Sequence, residues 1–198
     1  LDGDLVLHVL ELELVLDEAR VRDAGAAVRL SRAKRDVEEE AGLGRDLGLN
    51  VVPRSMICID ISTNQGRDTV GSLVWFEAGR PRKSEYRKFK IKGEGQQDDF
   101  AAVHEVLTRY LTRRREEQKP LPDLIVIDGG KGQLSAAVDA ATALGVTEVP
   151  IISLAKKEEE VFLPGRSESI RLPRRSPSLR LLQRIRDEAH RFAITHHR

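Results

Sequence analysis

A chain of 198 residues with 40% hydrophobic residues is long enough to bury one sizeable core, and length alone favours one domain, or one domain with an appendage. Charged residues make up 33% and aromatics only 4%, so the core is expected to be aliphatic beneath a densely ionic surface. No stretch approaches the roughly 18 apolar residues of a membrane span and no basic-then-apolar leader is present, so a soluble, cytoplasmic protein with no membrane partner is expected.

The lone Cys58 excludes an intrachain disulfide, and no Cys/His grouping has zinc-ligand spacing. Any metal would therefore be held mainly by carboxylates. A first residue of Leu1 rather than methionine leads us to expect a domain cut from a longer protein. The formal net charge is only +1, but acids gather before Glu40 and bases after Arg80. A basic face permits contact with a polyanion, although solvated surface explains any single cluster equally well.

Residues 1 to 52 read as an appendage. Leu10, Leu12, Leu14 and Leu16 alternate with acids as a strand would, while leucine and glutamate favour helix, so this segment stays ambiguous. Ala24 to Ala41 favour helix, Gly42, Gly44 and Gly48 are expected to break it, and Pro53 marks the boundary of a domain spanning 53–198. Three β-rich runs follow: Met56 to Ile61, Thr69 to Phe76 and Tyr86 to Ile91. The turns between them, at Asn64-Gln65-Gly66 and Ala78-Gly79-Arg80-Pro81, are short enough for an antiparallel meander.

Asp98 or Asp99 then caps a helix with Phe100, Val103, Leu107, Tyr110 and Leu111 at helical spacing. Leu124 to Ile127 is continuously apolar, as a strand buried on both faces would be, and Asp128-Gly129-Gly130 closes it. An alanine-rich helix from Gln133 to Leu144 leads to a strand from Pro150 to Leu154. A hairpin around Pro164-Gly165 comes next, and Ser176-Pro177 opens a last helix. The predicted class is α/β: a mixed sheet of a three-strand antiparallel meander plus two parallel strands, flanked by helices and ending in a C-terminal helix.

A strand reached through a helical crossover normally joins the sheet parallel to one of its members. If the Leu124 strand lies beside the Met56 strand, Asp60 and Asp128 emerge at the same edge. Two carboxylates there suit a hard divalent cation such as Mg²⁺, which polarises a phosphate and acidifies a bound water. Each residue alone has an ordinary explanation: Asp60 as a turn aspartate helped by Ser62 and Thr63, Asp128 as the usual companion of Gly-Gly. The turn Asp128-Gly129-Gly130-Lys131-Gly132-Gln133 lacks Walker A spacing, so a nucleotide cofactor is not expected. As a loop approached by a nucleic-acid phosphate it is more credible. On the last helix His190 lies at the flank of the apolar stripe, on the side of Arg186, where a histidine is as readily an edge-of-core residue. Lys156, Lys157 and Glu158 to Glu160 read as surface charge.

Four collinear strings carry a resemblance: Asp60-Ile61-Ser62 with Gln65-Gly66, Pro81 to Arg87 (PRKSEYR), Leu124 to Leu134 (LIVIDGGKGQL) and Ser178 to Ile194 (SLRLLQRIRDEAHRFAI). Together they resemble the C-terminal endonuclease domain of UvrC, the incising subunit of bacterial nucleotide excision repair, from about Pro53 to the chain end. The resemblance implies a ribonuclease H-like fold and a metal-dependent DNA endonuclease making the 5′ incision at damaged double-stranded DNA loaded with UvrB. It implies Mg²⁺ or Mn²⁺ held by Asp60 and Asp128, with His190 as a ligand or proton-transfer group and Asp99 as a further catalytic candidate. Lys131, Arg184, Arg186 and Arg191 are candidate phosphate contacts from charge and position. The chain departs from the family's usual Glu-Cys-Phe-Asp-Ile-Ser-His by reading Ile57-Cys58-Ile59-Asp60-Ile61-Ser62-Thr63. Two other readings compete: a non-catalytic ribonuclease H-like scaffold that binds DNA or UvrB, and a nucleotide-binding α/β enzyme using the Asp128 to Gln133 turn.

Overall fold

The computed structural model describes residues 24–64, 68–91 and 98–195. The ambiguous leucine-rich segment, the Gln65-Gly66 turn, and His196 and His197 lie outside them. Helix α1 (Ala24–Asp46) comes first, then strands β1 (Ser55–Asn64) and β2 (Asp68–Glu77). A two-residue β3 (Arg80–Pro81), a 3-10 turn (Lys83–Glu85) and β4 (Arg87–Lys90) follow. The second half is α2 (Asp99–Glu116), β5 (Leu124–Asp128), α3 (Lys131–Ala143), β6 (Ile151–Ala155), the hairpin β7 (Glu160–Phe162) and β8 (Ile170–Arg171), and α4 (Pro177–Ile194).

The strands form one mixed sheet in the order β3-β2-β1-β5-β6-β7-β8, with β4 also paired to β2. Strands β1, β2 and β4 make the expected antiparallel meander, while β1, β5 and β6 run parallel. Alternation along β1 divides the core in two. Ile57 and Ile59 face α2 and α3 with Leu73, Trp75, Ile125 and Ile127. Met56 and Cys58 face α4 with Val74, Leu124, Val126 and Leu154. Asp60 follows the second set, so it points toward α4.

Helix starts follow the capping residues. Asp98 rather than Asp99 is the N-cap of α2, its side chain accepting from Phe100 N at 3.0 Å. Ser176 caps α4 through Leu179 N at 3.2 Å, with Pro177 in the first turn. Helix α3 starts two residues before the predicted Gln133, whose Oε1 accepts from Gly130 N at 3.1 Å.

One expected break is absent, because α1 runs through Gly42 and Gly44. A Cβ on Gly42 would sit 3.2 Å from Ser178 Oγ, and one on Gly44 would sit 3.3 Å from Val51 O. These glycines let the helix approach its neighbours instead of ending it. The helix stops at Gly48 (φ +64°), where Leu49 N reaches Gly44 O and Gly48 N reaches Arg45 O, a Schellman ending. Leu43 and Leu47 are buried with the α4 side of the core, so the end of α1 packs into the same body as the sheet.

Candidate metal-dependent nuclease site

The start of β5 is clamped to the start of β1. Asp123 Oδ2 accepts from both Arg54 N and Ser55 N at 3.0 Å, and Asp123 N donates to Ser55 Oγ at 3.0 Å. That clamp fixes the parallel register Met56↔Leu124 through Ile59↔Ile127. The next step along both strands brings Asp60 and Asp128 abreast on the α4 face.

Both carboxylates are withdrawn from solvent: Asp60 is 5% exposed and the Asp128 side chain 2%. Neither Oδ2 has a hydrogen-bond partner. Lys156 Nζ stands 3.4 Å from Asp128 Oδ2, and His190 Nδ1 stands 3.6 Å from Asp60 Oδ2, contacts of charge rather than well-formed hydrogen bonds. Burial pushes the Asp60 carboxyl above the usual carboxylate range and the neighbouring Asp128 pushes it further, with Lys156 and His190 opposing. The Asp60 carboxyl so placed resists ionising unless positive charge comes near it.

A divalent cation fits this pair. Its donors are hard oxygens on adjacent strand ends, and the two orphaned Oδ2 atoms are groups that burial would penalise by several kcal/mol without compensation. Among the described residues no three His, Cys, Asp or Glu side chains are assembled at metal-holding spacing. The fit is thus to two carboxylates with a half-exposed histidine beside them. Mg²⁺ commonly binds through one or two carboxylates, filling its remaining positions with water and substrate phosphate. A depression of about 310 Å³ is lined by Lys156, Glu159, Arg186, Asp187 and His190, and two of these, Lys156 and His190, stand beside the acidic pair.

The other sequence candidates are more scattered. Asp99 is exposed in the first turn of α2. That helix end lies over the turn after Asp128, because a Cβ on Gly132 would overlap the Phe100 ring. Arg186 lines the depression but is held by Glu159 at 2.8 Å and by Asp187. Arg191 is paired with Glu188, and Arg184 with Glu39 at 2.7 Å and Gly79 O, on the side of α1. Lys131 donates to Ser167 O and lies over the Phe162 ring.

Lys156 is surface charge, as read from the sequence, but its ammonium also stands 3.4 Å from the buried Asp128 Oδ2, which the sequence did not show. It follows the end of β6, where Leu154 pairs with Asp128 in register.

The sequence profile of the UvrC RNAse H endonuclease domain matches residues 44–194. The UvrABC system protein C of Gemmatimonas aurantiaca is 59% identical over 169 residues, covering 85% of this chain and 27% of that protein. Its counterpart in Gloeobacter violaceus is 49% identical over 195 residues, covering 95% of this chain and 31% of that one. The chain thus spans less than a third of the length of these relatives. Among solved structures, human ENDOV aligns with a TM-score of 0.44 at 18% identity, covering 65% of this chain and 59% of that one. Thermus thermophilus RuvC in complex with a Holliday junction aligns with a TM-score of 0.31 at 16% identity, covering 67% and 95%. With its paired strand-end aspartates inside the matched segment, the chain belongs to the family of UvrC ribonuclease H endonuclease domains.

Proposed function

We propose that this domain is a divalent-metal-dependent DNA endonuclease that makes the 5′ incision at damaged DNA within the UvrABC system, acting with UvrB in the bacterial cytoplasm. The observation that carries the reading is the side-by-side burial of Asp60 and Asp128, each with an oxygen that accepts no hydrogen bond. Mg²⁺ or Mn²⁺ bound there would supply a Lewis acid for the phosphate and an acidified water as nucleophile.

The protein's own groups have separable tasks. Asp60 and Asp128 would hold the cation, and their burial keeps both carboxylates from bulk solvent. His190, with its side chain 56% exposed and its Nδ1 turned to Asp60, is placed to move a proton to or from the reacting phosphodiester. Lys156, 61% exposed, offsets the acidic pair on its open side and offers a charge to an incoming phosphate. Arg186 lines the depression beside His190, while Lys131, Arg184 and Arg191 are further phosphate-contact candidates by their charge. Asp99 remains a candidate through the approach of α2 to the Gly132 turn.

The test is plasmid nicking with Mn²⁺ by the wild-type chain and by Asp60→Asn. The variant should fold and lose nicking by about a hundredfold or more, the scale of removing a group that acts in the transition state. Undiminished cutting by the folded variant would reject the assignment.

A further inference from the structure

The transverse row that carries Asp128 and Asp60 continues across the sheet. Asp60 is paired with Ser72 on β2, and Ser72 with Lys88 on β4. Cross-strand partners share a face, so these four side chains form one line beneath α4. Ser72 is fully buried, and its Oγ has no hydrogen-bond partner. A hydroxyl held that way costs about 1–3 kcal/mol relative to a satisfied one, a cost that alanine would avoid at the same position.

Among its neighbours within the sheet, one side chain is an acceptor for the hydroxyl proton. Two residues away along β2 on the same face stand Val70 and Val74, both apolar. On one flank Lys88 is a donor, and its ammonium is committed to Ala193 O at 3.2 Å and to the Phe192 ring. On the other flank is the Asp60 carboxylate, which has two oxygens, one to face a cation and one to accept from the serine. Directly opposed residues of an antiparallel pair have Cβ atoms about 4.5–5.5 Å apart, so rotation of the serine about χ1 spans the gap to the carboxylate.

We propose that Ser72 is a positioning residue for Asp60: its Oγ donates to the Asp60 carboxylate when the acidic pair holds a divalent cation, fixing the orientation from which Asp60 binds. The inference rests on the metal-site reading above and adds to it a residue on a different strand. Ser72 touches neither cation nor substrate. It acts by taking up one carboxylate oxygen so that the other faces the site, the role that outer hydrogen bonds play around many metal ligands.

Three measurements on the 198-residue chain test this: Mn²⁺ binding by calorimetry, thermal unfolding without metal, and Mn²⁺-dependent nicking. For Ser72→Ala we expect metal-free unfolding at or above the wild-type temperature, because an unsatisfied hydroxyl has been removed. Mn²⁺ affinity should fall by about tenfold, and nicking should fall at limiting Mn²⁺ but recover when Mn²⁺ is raised. Ser72→Thr, which keeps the hydroxyl, should bind Mn²⁺ close to wild type. Wild-type Mn²⁺ affinity in Ser72→Ala would overturn the proposal, whether or not the metal-free protein is destabilised. A wild-type affinity left unchanged in Asp60→Asn would overturn the metal-site reading itself, and this inference with it.

Discussion

At Asp60 and Asp128 the folded chain keeps two acids abreast, nearly out of solvent, with the Asp60 carboxyl resisting ionisation. A hydrophobic pair would pack there at less cost, which favours the proposed cation site over a purely structural role. His190 differs in kind, being half-exposed and not hydrogen-bonded to either acid. His190→Ala should therefore reduce nicking by about 10²-fold or more while leaving Mn²⁺ affinity within about tenfold of wild type. Parallel calorimetry and nicking assays check this, and abolished Mn²⁺ binding would make the histidine an indispensable ligand instead. The aspartates and the histidine were legible as candidates because long collinear strings surround them. Lys156 was not, because a lysine in Lys-Lys-Glu-Glu-Glu has the composition of any solvated turn. Ser72 was not either, since a serine inside a strand carries no signature until register places it opposite Asp60.

At the scale of elements, β-branched runs and turn residues were enough to find every strand of the meander, the parallel pair and the hairpin. The Asp123 clamp, which sets the register bringing Asp60 to Asp128, was invisible because an aspartate after Pro-Leu-Pro reads as ordinary loop. Glycines misled in α1: intrinsic propensity ranks glycine as a breaker, but tertiary approach at Gly42 and Gly44 outweighs that preference. Gly71 shows the same economy of space on β2, where a Cβ would overlap a methyl of Val106 on α2. Gly71→Ala should destabilise by about 1–3 kcal/mol through overpacking, and adding Val106→Ala should recover part of the loss. Urea denaturation of both variants decides it, and an unchanged midpoint for Gly71→Ala would contradict the packing described.

At the scale of the whole molecule, α1 joins the nuclease fold through a buried acid. Glu40 is 1% exposed, with Oε1 unpartnered, and burial lifts its pKa to about 7 despite Arg54 and a hydrogen bond from the backbone of Gly79. Because the folded value lies above that of an exposed glutamate, the folded state binds the extra proton between about pH 4.5 and 7. Stability from this residue is present below that window and is lost as pH rises through it, by about 2–3 kcal/mol at most. Glu40→Gln should thus be more stable than wild type at pH 8 and show no such gain at pH 4.5. Denaturant unfolding at both values checks it, and an equal difference at the two pH values would remove the buried charge as the cause.

The central claim is that Asp60 and Asp128 together form the cation site of a UvrC ribonuclease H endonuclease domain. Calorimetric titration of Mn²⁺ into the wild-type chain and into Asp60→Asn/Asp128→Asn tests it most directly. Saturable binding by wild type that disappears in the folded double variant is the predicted result, and binding of the same affinity in both proteins would contradict it.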